Sequence, residues 1–174
     1  MVRLSHCSVA DEVAYWSTMR EVPLAPYFML ACGLIGIADA FYVAQASYTG
    51  WPLWCAILEG CNAVVQSPYA RVFGVPVSYV GLTFYLYMAG FAALLAFDPF
   101  SRGLRLGALL YTAMGVGYSG YFAYVQLTAI RAVCVYCLIS AVLTALLFIA
   151  AVWHFRSTRR PATLGPTGPI SDRG

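Results

Sequence analysis

Residues 133–153 read VCVYCLISAVLTALLFIAAVW. These 21 residues carry no charged side chain. At about 1.5 Å per residue, a helix of this length crosses a hydrocarbon core of about 30 Å. The stretch therefore reads as a membrane span. It opens on Cys134 and Cys137, so the segment that decides the fold also carries chemistry.

Three upstream runs have the same character, at about Tyr27–Tyr48, Ser78–Phe97 and Leu104–Gln126. Glycines recur within them, among them Gly33, Gly36, Gly81, Gly115 and Gly120, and small residues let helices approach closely in lipid. Composition agrees: 61% of the 174 residues are hydrophobic and 10% are charged, where a soluble domain is about one quarter charged. The expected fold is an all-α integral membrane protein, a four-transmembrane-helix bundle. The net charge of +3 comes from arginine alone. No basic stripe of the kind that binds nucleic acid is present.

Four spans leave both termini on one side, and arginine chooses it. Arg3, Arg20, Arg102, Arg105, Arg156, Arg159, Arg160 and Arg173 fall on that side, against Arg71 and Arg131 on the other. By the positive-inside rule both termini and the Asp98–Gly103 loop are cytoplasmic. The expected organisation is a cytoplasmic N-terminal segment over 1–26, a membrane domain over 27–153, and a cytoplasmic disordered tail over 154–174. No cleavable signal peptide is expected, because the first long apolar run starts only near Tyr27.

Two segments remain outside, a long link from Thr49 to Val77 and a short turn from Leu127 to Ala132. Tyr48, Trp51, Trp54, Tyr69 and Tyr79 cluster about the link, as aromatic residues do at a membrane interface. Within it Val64, Val65, Pro68, Tyr69, Val72 and Phe73 recur at helical spacing. This predicts a short amphipathic helix ended by Gly74 and Pro76, its apolar side on the bundle or lipid.

Topology sorts the six cysteines. Cys7 and Cys32 lie in or towards the cytoplasm and read as structural thiols. Cys55, Cys61, Cys134 and Cys137 share the outer side, where an oxidising compartment favours disulfides. Cys134 and Cys137 open a long helix, whose unpaired amides and dipole stabilise a thiolate. Cys137 lies one turn deeper and is placed to meet a lipid-soluble acceptor, while Cys134 faces the aqueous side. Gly60 gives the Cys55–Cys61 segment the freedom to move between an outside protein and the inner pair. Two static disulfides and a four-cysteine zinc site are the competing readings, the latter weakened because no histidine falls on the outer side. No metal is expected.

These features resemble the vitamin K epoxide reductase family in its bacterial stand-alone form. The likeness rests on Cys55 and Cys61 with five residues between them, Ser67 six further on, Cys134 and Cys137 at the head of the last span, and the stretch CNAVVQSPYARVFGVPVSYVGLTFY. It covers roughly Tyr27–Trp153. The resemblance implies a thiol-disulfide oxidoreductase that generates disulfides and passes electrons to a membrane quinone of ubiquinone or menaquinone type. It implies that Cys137 reacts with the quinone and that Cys134 exchanges with Cys61. Cys55 then takes electrons from an extracytoplasmic thioredoxin-like or DsbA-like protein, and Ser67 lines the quinone site.

Two departures bear on that implication. No thioredoxin-like domain follows the fourth span in this chain, so the expected donor is another polypeptide. Where animal relatives carry a tyrosine four residues after the last cysteine, this sequence has Ala141, which favours a plain quinone over an epoxide. The expected location is the bacterial inner membrane. A DsbB-type enzyme does the same work with its CxxC in the first outer loop, and here the order is reversed. The remaining alternatives are a non-enzymatic membrane subunit braced by disulfides and a quinone epoxide reductase. Asp39, an acid inside a span, is costly to place in lipid and is a functional candidate by default.

Overall fold

The computed structural model describes residues 24–55 and 60–157. The expected N-terminal segment up to residue 23, Cys7 within it, and the tail from residue 158 lie outside the described residues. In chain order the elements are α1 (Leu24–Thr49), α2 (Cys61–Gln66), a 3-10 turn at Pro68–Ala70, β1 (Arg71–Val72), β2 (Val75–Pro76), α3 (Val77–Phe97), α4 (Arg102–Val125), a π-helical turn at Gln126–Ile130 and α5 (Val135–Ser157).

Three helices are long and apolar enough to cross a membrane: α1, α3 and α5, with mean hydropathies of 1.7, 1.8 and 2.6. The fourth long helix, α4, has 24 residues. Tyr111, Tyr118, Tyr121, Tyr124 and its glycines dilute its apolar character, which is why it does not stand with the other three. The long helices pack side by side, α1 against α3 and α5, and α4 against α5 and α3. Their outward faces expose Leu34, Phe41, Leu86, Leu94, Leu110 and Ile149. So broad an apolar belt is a liability in water and the natural solvent-facing side in lipid.

The core divides by depth. One cluster gathers Met29, Cys32, Tyr85, Met88, Leu95, Leu143 and Leu147 between the long helices. Cys32 is buried there as a small apolar residue, in keeping with a structural role. At Gly36 a Cβ would collide with the Tyr85 ring, so the missing side chain is what lets that ring lie against the α1 backbone. A second cluster lies at the end where α2 and the start of α5 meet. It holds Leu53, Cys61, Val64, Phe122 and Cys134, with Cys55, Tyr136 and Cys137 packed against it.

The long link corrects one expectation. The helix within it stops at Gln66 rather than running to Phe73. Ser67 precedes a proline and takes extended backbone (φ −67°, ψ 151°), as the proline ring demands of its predecessor. Beyond the 3-10 turn, β1 and β2 pair antiparallel with Arg71 opposite Pro76 and Val72 opposite Val75. The two-residue connection, Phe73 and Gly74, has φ of 51° and 84°, the positive pair a tight hairpin turn needs.

Candidate functional site

The outer cysteine pair is set by a small clamp. Cys55 and Cys61 form a disulfide, with their Cα atoms 6.4 Å apart. Asn62, the next residue, grips the chain ahead of Cys55: the Leu53 amide donates to Asn62 Oδ1 (2.8 Å) and Asn62 Nδ2 donates to the Leu53 carbonyl (3.4 Å). Two tyrosines tie the same stretch to the long helices. The Tyr136 hydroxyl donates to the Trp54 carbonyl (2.8 Å), the Trp54 amide donates to the Tyr42 hydroxyl (3.5 Å), and the two rings meet at 5.2 Å. As a disulfide, Cys55 and Cys61 are not thiolate ligands for a metal.

The inner pair is reduced, with Cys134 buried and Cys137 half-buried. Cys134 stands one residue ahead of α5, at the mouth of the bundle. Its amide donates to Gln126 Oε1 (3.1 Å). Gln126 is itself buried, sits at the first position of the π turn, and also bonds the Cys137 sulfur. The Cys137 thiol donates to the Cys134 sulfur, and the Cys137 and Tyr136 amides point at it as well. These donors outweigh burial and bring the Cys134 thiol below its ordinary value, as a helix start does for a thiolate.

That shift gives a direct expectation. In a Cys7→Ala, Cys32→Ala background with the Cys55–Cys61 disulfide intact, far-ultraviolet thiolate absorbance should rise with pH about a midpoint below the roughly 8.5 of an ordinary thiol. Removing the strongest donor by Cys137→Ala should move the midpoint up. An unshifted midpoint in both proteins would mean that the helix start does not hold a thiolate.

The two pairs touch through backbone. At Gly60 a Cβ would stand 2.8 Å from the Val133 carbonyl oxygen and 2.9 Å from its nitrogen. Only glycine allows the residue before Cys61 to lie against the residue before Cys134. Both of those cysteines have no exposed surface and share one cluster.

Below the inner pair a cavity of about 590 Å³ opens between the long helices, within the range of sites that hold small organic molecules. Its walls are mostly apolar, and Asp39, Ser47, Tyr85, Gln126, Ser140 and Thr144 are among the polar side chains that line it. The Tyr85 hydroxyl lies 2.8 Å from Ser140 Oγ and 3.1 Å from Thr144 Oγ1, and it donates to the Ser140 carbonyl (2.8 Å). Of the four outer-side cysteines, Cys137 alone lines the cavity. Ala141 lines it too. Ser67 does not: its hydroxyl donates to the Val64 carbonyl at 2.8 Å, a local bond at the end of α2.

Sequence reasoning missed Gln126, Asn62, Tyr85 and the Tyr42–Tyr136 pair. Gln126 left one trace, a polar amide in an apolar run eight residues ahead of Cys134. The others had none, because their partners come from distant parts of the chain.

The family model described as "Vitamin K epoxide reductase family" matches residues 27–152. The chain is also similar to the thiol-disulfide oxidoreductase LTO1 of Arabidopsis thaliana, 32% identical over 121 residues, which cover 66% of this chain and 32% of that protein. The chain thus spans about a third of the length of that curated relative.

Proposed function

The chain belongs to the vitamin K epoxide reductase family, and on that footing we propose that it is a membrane thiol-disulfide oxidoreductase linking extracytoplasmic protein thiols to a membrane quinone. One observation carries the reading: the cysteines form a graded path, from half-buried Cys55, through Cys61 and Cys134 at the junction of the two pairs, to Cys137 in the cavity wall.

The route has four exchanges. A reduced thioredoxin-like or DsbA-like protein attacks the Cys55–Cys61 disulfide at Cys55, the more accessible sulfur, and Cys61 leaves as thiolate; the donor's second thiol then attacks the mixed disulfide, closes the donor's own disulfide and frees Cys55 as thiolate. Cys61 then attacks Cys134 of an oxidised inner pair, releasing Cys137. Cys55 resolves the mixed disulfide by attacking Cys61. The outer disulfide closes and the inner pair is left reduced, the arrangement seen here. The two electrons then pass to the quinone, whose ring accepts two electrons and two protons to become quinol, and the Cys134–Cys137 disulfide forms again. The membrane is the bacterial inner membrane, α4 is the fourth span, and both termini face the cytoplasm.

A ring of this kind suits the cavity, with apolar walls for an isoprenoid quinone and hydroxyls at Tyr85, Ser140 and Thr144 for its oxygens. Ala141 offers no hydroxyl to an epoxide oxygen, which favours a plain quinone. Ser67 as a ring contact would require its hydroxyl to leave the Val64 carbonyl.

The test is rapid mixing of pre-reduced protein with short-chain ubiquinone and menaquinone analogues, following quinol and counting thiols. Quinol formed one-for-one with an inner disulfide supports the scheme. No quinol from either class would leave the four cysteines as braces.

A further inference from the structure

Asp39 stands within the α1 span and lines the same cavity as Cys137. Among the described residues it makes no hydrogen bond and no ion pair. Such an acid inside a span is expensive and calls for a function.

The packing fixes its level. Tyr42, one turn towards the outer end, meets the Tyr136 ring. Gly36, one turn the other way, abuts Tyr85, whose hydroxyl reaches Ser140. Residues 36, 39 and 42 follow one another on one face of a helix. Asp39 therefore faces α5 between Tyr136 and Ser140, the stretch that contains Cys137.

The groups around it are few. Tyr79 and Tyr85 face the cavity from α3, Tyr111 and Tyr118 from α4, and Tyr136 and Cys137 from α5. Phenols and thiols are ordinarily weaker acids than a carboxylic acid. No lysine, arginine, histidine or second carboxyl lines the cavity among the described residues.

We propose that Asp39 is a catalytic acid that delivers a proton to the quinone oxygen during reduction by the Cys134–Cys137 pair. The inference rests on the quinone-linked reading above. The step balances with Cys134 as thiolate and Cys137 as thiol. The two sulfurs lose two electrons and form a disulfide. Cys137 gives up one proton, Asp39 gives the second, and the ring leaves as quinol. Asp39 is left as carboxylate and is reprotonated from the outer side. Ser47, two turns up the same face of α1, lines the cavity on that route and lies 3.4 Å from Ser78.

The experiment compares wild type, Asp39→Asn and Asp39→Glu, purified whole and pre-reduced. Each is mixed with a short-chain ubiquinone analogue over a pH series. Dithiothreitol reduction of the Cys55–Cys61 disulfide and thermal unfolding serve as readouts that a proton donor does not move. Infrared spectra follow the protonated-carboxyl band. Expected are a quinol-formation rate that in wild type rises as Cys134 ionises and falls at higher pH as the Asp39 proton is lost, and in Asp39→Asn a rate lower by about 10²-fold that keeps the rise with Cys134 ionisation and lacks the fall. Asp39→Glu restores the pH dependence, the infrared band disappears in Asp39→Asn, and dithiothreitol reduction is unchanged. An Asp39→Asn protein with wild-type rate and pH profile overturns the proposal. So does equal slowing of the dithiothreitol step, or the absence of an Asp39 carboxyl band where wild type is fast. If wild type reduces no quinone, the functional reading itself fails and this inference falls with it.

Discussion

Cys137→Ala is expected to lower single-turnover quinol formation by at least about 10³-fold, about 4 kcal/mol in barrier height. Cys55→Ser and Cys61→Ser, with the inner pair pre-reduced, should stay within about threefold of wild type, since neither sulfur lines the cavity. The asymmetry follows from position. Cys134 holds the thiolate but lies off the cavity, shielded by Gln126 and the start of α5. Without Cys137 none of the outer-side cysteines lines the cavity and no inner disulfide can form. Three thiols on the outer side remain in that variant, so its electrons are still present and only their route is cut. Closure of the Cys55–Cys61 disulfide in Cys137→Ala reports that the fold survives. Full quinol formation by Cys137→Ala would break the scheme at its last step.

The sequence made the scaffold legible wherever a local signal sufficed. Apolar runs of about twenty residues mark α1, α3 and α5, broken in α1 only by Asp39, because lipid forces every span to be apolar. The head of α5 was legible because Cys134 and Cys137 precede an uninterrupted apolar run. In the outer link the same reasoning misled. Val64, Val65, Pro68, Tyr69, Val72 and Phe73 have helical spacing, but Pro68 lacks the amide hydrogen that would continue α2, and it pushes Ser67 into extended backbone. Phe73 then turns back with Gly74 into a hairpin, so the stripe never lies on one helix. Arg102–Val125 is helical as expected, yet its tyrosines and glycines leave it less apolar than its neighbours. Asn62 and Gln126 could not be read in advance. Each is an ordinary amide until Leu53 or Cys134 is brought to it.

The junction between the pairs yields the second large effect. In a Cys55→Ser, Cys137→Ala double variant, Cys61 and Cys134 are the two outer-side cysteines left, each stripped of its native partner. Both are wholly buried in one cluster, and the Gly60 backbone rests on Val133. Disulfide bonds need Cα atoms within about 7 Å, and this contact brings the two chain segments together. Air oxidation should therefore convert most molecules to a Cys61–Cys134 disulfide, read by mass spectrometry of a non-reduced digest in a Cys7→Ala, Cys32→Ala background. Adding Gly60→Val provides the control for geometry. Its Cβ would press on the Val133 carbonyl and lift Cys61 from Cys134, so the cross-link should fall sharply while both thiols remain countable. A double variant that keeps two free thiols would mean that the pairs do not exchange directly. A cross-link that survives Gly60→Val would mean that the outer segment reaches Cys134 by a larger movement, and that the Gly60–Val133 contact does not position the exchange.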